Sequence, residues 1–118
     1  MESDLSAEIP LTREVVLDAQ LPRSVQTQRV EVRRIRIRAG HAAGPHVHNG
    51  PVVGSIVEGS VLFQVAGADQ TVLREGDAFF EPADVEIAHF DALDEDVTFL
   101  SYFLLTENQE PEIVMSEK

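Results

Sequence analysis

The chain reads as a single all-β domain of the sandwich or barrel type. Three observations point there. A length of 118 residues suits one domain with its own apolar core. The apolar residues recur with a period of two rather than 3.6. Turn-forming clusters cut those runs at short intervals, at Glu58-Gly59-Ser60, Ala66-Gly67-Ala68-Asp69 and Arg74-Glu75-Gly76-Asp77. No long segment carries a helical stripe, and no internal repeat or low-complexity tract is visible.

In chain order, residues 1–24 form an acidic N-terminal arm, within which Val15-Val16-Leu17 is a candidate added strand. Residues 25–106 form the barrel. Its first strand, Val30 to Ile37, has a fault in its pattern: Val30 and Val32 have even parity, Ile35 and Ile37 odd. A β-bulge or a short break at Arg33-Arg34 would restore one apolar face. The five Arg between Arg29 and Arg38 read as the solvated or partner-facing side of an edge strand rather than a nucleic-acid patch. Val61, Phe63 and Val65 alternate with Leu62 and Gln64, which puts Gln64 outside the core. The run from Val97 to Leu105 is apolar on both faces, as expected of a central or interface strand. Residues 107–118 form an acidic C-terminal tail, in which Ile113-Val114-Met115 is a short apolar patch able to dock on the domain or on a partner.

Composition excludes several functions. Nine Lys+Arg stand against 21 Asp+Glu, a net charge of −12, which disfavours nucleic acid and anionic membrane as partners. No Cys is present, so a disulfide scaffold, a Cys-based zinc site, an iron–sulfur cluster and a thiol nucleophile are all excluded. The acidic N-terminus without an apolar stretch, and the lack of Cys, lead us to expect a cytoplasmic protein. Ser55, Ser60 and Ser101 lack a nucleophile-elbow context, so a serine hydrolase has no support.

The four His carry the chemistry. His46 and His48 are spaced i, i+2, which on a strand turns both imidazoles to one face. Gly40, Gly44 and Pro45 lead sharply into the pair, and Gly50-Pro51 follow it. Two imidazoles on one rigid face are the start of a divalent metal site. Further ligands come from two candidates. In a regular strand Ile87, His89 and Asp91 share a face, so His89 turns inward; a bulge at Glu86-Ile87 would turn it out. Glu81 lies in the apolar run Phe79-Phe80-Glu81-Pro82. With Phe79 inward, Glu81 is a buried carboxylate, best explained as a ligand or catalytic base. With Phe80 inward it faces solvent. His41 reads as a loop residue near the site mouth.

These residues resemble the cupin family. Its first motif is Gly, five residues, His-x-His, three or four residues, Glu, six residues, Gly. Gly40, His46, His48 and Gly59 match it. The second is Gly, five residues, Pro, one residue, Gly, two residues, His, three residues, Asn, and here Gly76 and Pro82 match. The departures are specific. The motif Glu falls on Val52 or Val53, the Gly after Pro on Asp84, the His on Ile87, and the Asn near Asp91 or Ala92. The resemblance implies a double-stranded β-helix, a small jelly-roll barrel, often dimeric, with a pocket at its mouth. It carries over only His46 and His48 as metal ligands, with His89 and Glu81 as candidates to replace what is missing.

Two functions follow as expectations. One is a metal-dependent, dioxygenase-like enzyme acting on a small organic molecule, using Fe, Mn, Ni or Zn, with Glu81 as the catalytic carboxylate. The other is a non-catalytic ligand-binding or sensory barrel, which the lost motif Glu and His would fit. The two-faced run from Val97 to Leu105 leads us to expect a homodimer.

Overall fold

In a computed structural model, residues 9–116 are described. They form nine strands and no helix: β1 (Arg29–Ile37), β2 (His46–His48), β3 (Val52–Glu58), β4 (Ser60–Val65), β5 (Thr71–Arg74), β6 (Ala78–Glu81), β7 (Ile87–Ala92), β8 (Val97–Leu105) and β9 (Ile113–Met115). All pair antiparallel, in a four-stranded sheet ordered β1-β8-β3-β6 and a five-stranded sheet ordered β5-β4-β7-β2-β9. The two sheets face each other as a double-stranded β-helix. The alternation that predicts strands is thus the packing itself, since every second side chain enters the space between the sheets.

That space is filled from both sheets. Val61, Phe63, Ile87, Phe90 and Ala92 come from one, and Ile56, Phe79, Val97 and Phe99 from the other. Four Phe rings form its centre, with centroids 4.7 Å apart for Phe90 and Phe99 and 5.2 Å apart for Phe79 and Phe90. Such tilted and edge-on pairs add to the burial energy of the rings. Gly54 of β3 makes room for this cluster. A Cβ there would stand 2.2 Å from Phe79 Cζ and 2.5 Å from the Leu100 carbonyl oxygen. β8 lies between β1 and β3, as its two apolar faces require.

Two expectations need correction. No bulge interrupts β1: it runs in unbroken register against β8, from Arg29 opposite Leu105 to Ile37 opposite Val97. The change of parity is real but is absorbed differently. Val30 and Val32 face outward, each about half exposed, on the same side as Tyr102 and Leu104. Arg33 takes the inward side at the barrel rim, where its guanidinium lies 5.3 Å from the centre of the Phe103 ring and pairs with Glu31. A long Arg can lie on an apolar ring and keep its charge wet, so the rim does not demand an apolar residue. Arg29 and Arg36 also have acid partners, Glu110 and Asp96. The second correction concerns the arm, which forms no strand among its described residues 9–24. Its Leu21 and Pro22 instead share a hollow with Pro51, Phe80 and Val85. The apolar patch of the tail becomes β9, paired along β2.

Candidate metal centre

β2 is short and carries the two candidate ligands on its inward face. His46 and His48 are 4% and 8% exposed, while Val47 between them points away. β6 turns Phe79 and Glu81 inward, at 2% and 3% exposure. The apolar partner of Glu81 in this alternation is therefore Phe79, which the ring cluster holds in the core. That resolves the open orientation in favour of a buried carboxylate.

The three side chains converge. Glu81 Oε1 lies 2.7 Å from His48 Nε2 and 3.9 Å from His46 Nε2. One nitrogen from each His and a Glu81 carboxylate oxygen all lie within 4.8 Å of one another. His46 Nδ1 donates to the Gly44 carbonyl oxygen at 2.7 Å. This leaves its Nε2 lone pair aimed at Glu81, the arrangement that orients a metal-binding imidazole. His48 Nδ1 is buried without a hydrogen-bond partner, so Glu81 alone sets the tautomer of that ring.

Electrostatics tie the triad together. Burial pushes the His46 pKa down, but the Glu81 carboxylate and the Gly44 carbonyl outweigh it, and the net shift is upward. At 3.9 Å the Glu81 contribution is charge attraction rather than a hydrogen bond. Burial pushes Glu81 upward, and the two imidazoles outweigh it, so its pKa falls below the ordinary range. Two nitrogen donors and an ionised carboxylate, buried and converging, fit a divalent transition metal. A cation would replace the proton that His48 Nε2 now presents to Glu81.

The other motif departures fall into place around the triad. Val52, a slot for the family Glu, is buried directly opposite Glu81 in the β3–β6 ladder. Glu81 thus stands one strand across from that slot, at the same level of the barrel. Ile87, the slot for the family His, is fully buried directly opposite His46. Asp84 stands where the family has Gly and adopts φ 64°, a left-handed conformation that Asp tolerates better than most residues. Its N–H donates to the His48 carbonyl at 2.9 Å.

His89 is not brought to the site. The β4–β7 ladder shifts register between Gln64 and Val65, which face His89 and Ile87 in turn, so Ala88 is the extra residue of a bulge. Ile87 and Phe90 both point inward, and His89 is turned out, its Nδ1 2.8 Å from Asp91 Oδ2. A third His ligand is therefore absent from the cluster. Gln64 sits opposite His89 and donates to the Ala68 carbonyl, also outside the core.

The triad lies in the wall of a cavity of about 520 Å3, within the range of small-molecule sites. Ile35, Ile37, Phe90, Phe99 and Phe103 supply apolar surface, and His41 stands at the exposed rim. Two further lining residues go beyond the sequence expectations. Ser101 is the one polar residue on the inward face of β8, a visible break in the series Val97, Phe99, Ser101, Phe103, Leu105 that could have signalled it. Ile113 reaches the cavity from β9, and nothing local signals that.

A double-stranded β-helix with a buried His-His-carboxylate triad in the wall of a cavity defines a class of barrel proteins. Residues 33–103, more than half of the chain, match the family model described as Cupin domain, and the chain belongs to the cupin family. Solved structures agree on the fold. An oxalate oxidase in complex with the substrate analogue glycolate aligns with a TM-score of 0.63 at 22% identity, over 73% of this chain and 45% of that one. A chain from the crystal structures of two DMSP lyases aligns with a TM-score of 0.63 at 25% identity, over 77% and 46%. A cupin-like protein from Thermotoga maritima aligns with a TM-score of 0.62 at 22% identity, over 74% and 65%. The chain thus spans less than half the length of the first two. No curated protein matches it by sequence.

Proposed function

We propose that this chain is a small metalloprotein that binds Fe, Mn, Ni or Zn through His46 Nε2, His48 Nε2 and the Glu81 carboxylate, and acts on a small organic molecule in the adjoining cavity. The observation that carries the reading is the convergence of three buried ligand atoms at the cavity wall. Two imidazoles and one carboxylate leave coordination positions open, the pattern of non-haem iron oxygenases, so the bound metal would supply Lewis-acid or dioxygen chemistry. The chain's own residues have separate tasks. Gly44 holds the His46 tautomer, Glu81 balances the cation's charge, and the Phe and Ile walls exclude water and accept an apolar substrate body. The Ser101 hydroxyl offers a hydrogen bond to a polar substituent.

A non-catalytic ligand-binding or sensory barrel is the alternative, favoured by Val52 and Ile87 in two family ligand slots. Elemental analysis of tag-free protein beside a His46→Ala/His48→Ala double variant tests the metal. Near-stoichiometric metal lost in the variant supports the reading, and no metal after loading with each ion overturns it. Oxygen uptake by the loaded protein then separates enzyme from binder. The same reading takes the working form as a cytoplasmic homodimer, packed through the outward face of the four-stranded sheet, where Val30, Val32 and Tyr102 are exposed.

A further inference from the structure

β2, which carries both His ligands, is poorly held by the barrel itself. On one side it meets β7 at a single registered pair, His46 opposite Ile87, helped by the Asp84 N–H to the His48 carbonyl. On the other side it is paired along its whole length with β9: His46 opposite Met115, Val47 opposite Val114 and His48 opposite Ile113. The pairing extends past both ends, with the Ser116 N–H on the Pro45 carbonyl at 2.8 Å and the Asn49 N–H on the Glu112 carbonyl at 3.3 Å. Burial does not hold β9 there, because its three side chains are 52–61% exposed.

Asn49, the residue after His48, fastens the tail. Its Oδ1 accepts from the Glu112 N–H at 3.0 Å, its Nδ2 donates to the Glu110 carbonyl at 2.9 Å, and its own carbonyl accepts from Gln109 Nε2 at 3.0 Å. We propose that the C-terminal strand is a working part of the metal centre, a latch that positions His46 and His48, with Asn49 as the positioning residue that fastens it. The proposal rests on the metal reading above. Ligand geometry is held by outer partners, whose loss typically weakens metal binding about 10–100-fold. Here those partners are backbone groups of the tail and the side chain of Asn49. Linkage requires the reverse effect too: a latch that holds the ligands must itself be held by the metal.

The test uses the full chain and Co(II) alone as probe. Titration followed by the visible absorption spectrum gives affinity and coordination geometry, and amide hydrogen exchange reports on β9. Asn49→Ala removes the fastening, and Val114→Pro removes the ladder N–H that β9 directs at β2 opposite Val47, with Val114→Thr as the conservative control. We expect Asn49→Ala and Val114→Pro to weaken Co(II) by about tenfold or more and to change the spectrum, while Val114→Thr behaves as the parent. Co(II) should slow exchange at Val114 and Ser116 in the unaltered chain. Parental affinity and spectrum in both disrupting variants, or exchange in β9 indifferent to Co(II), overturns the latch alone. Failure of the unaltered chain to bind Co(II) overturns the latch, and failure to bind Fe, Mn, Ni and Zn as well overturns the metal reading. If a variant does not fold, hydrogen exchange on the unaltered chain still decides.

Discussion

Glu81 is the residue on which the site turns. It is a carboxylate in an apolar run, almost without solvent, and its two neighbours are imidazoles. Substituting Glu81→Gln keeps the shape and removes the charge. Metal affinity should then fall by on the order of a hundredfold or more, because a direct ligand is lost and even outer-partner losses cost about 10–100-fold, as read by metal stoichiometry after dialysis. The pH response has a definite sign. The His46 pKa is raised above 6.5, so its contribution to metal-free stability is complete below 6.5 and is lost as pH rises through the raised value. The Glu81 pKa is lowered below 4.5, so its contribution is complete above 4.5 and is lost as pH falls through the lowered value. Metal binding needs a neutral His46, so protons compete with it. Metal affinity should therefore rise with pH through the raised His46 pKa, while this pair's contribution to metal-free stability declines. Parallel thermal melts and metal titrations across pH check both trends.

At the scale of elements, the bulge in β7 decides which residues reach the site. It keeps Ile87 and Phe90 both inward and leaves His89 on the outer face with Asp91. His89→Ala should accordingly leave metal stoichiometry unchanged and shift stability by no more than about 0.5 kcal/mol, as for other surface substitutions. Metal loss in that variant would contradict the strand geometry. β3 offers the opposite case. Gly54→Ala would drive a methyl into the Phe79 ring and the Leu100 carbonyl. We expect a loss of about 1–3 kcal/mol from overpacking, measured by denaturant unfolding. Phe79 is two residues from Glu81 on the same face, so metal affinity should fall with it.

For the whole molecule, charge is unevenly placed. Residues 1–20 hold five acids and one Arg, a net of −4, whereas residues 29–38 hold five Arg and one Glu, a net of +4. Within the arm, Leu11, Val15 and Val16 are exposed, and so are Val30 and Val32 of β1. In the proposed homodimer the outward face of β1, where Arg34 and Arg36 stand beside Val30 and Val32, would take the acidic, apolar arm of the second copy. Light scattering should report twice the chain mass, and Val32→Glu with Tyr102→Glu should return it to that of one chain. Salt should weaken the association in part, because the charged share is screened.

Much of this protein is legible in the sequence by itself. Period-two alternation and turn clusters determine strands, because a sheet buries every second side chain. The spacing of His46 and His48 determines a shared face for the same reason. The carboxylate is legible as a candidate because an acid beside Phe79 and Phe80 needs an explanation. What only the tertiary structure decides depends on register between strands. Local alternation does not say that Ala88 is a bulge, so His89 looks like a ligand. It does not say that Glu81 lies opposite Val52, or that β1 keeps its register by putting Arg33 over Phe103. Nor does it say that the tail pairs with β2. Each of these is a pairing between residues distant in the chain, and such pairings are selected by the packing of the two sheets as a whole rather than by any segment alone.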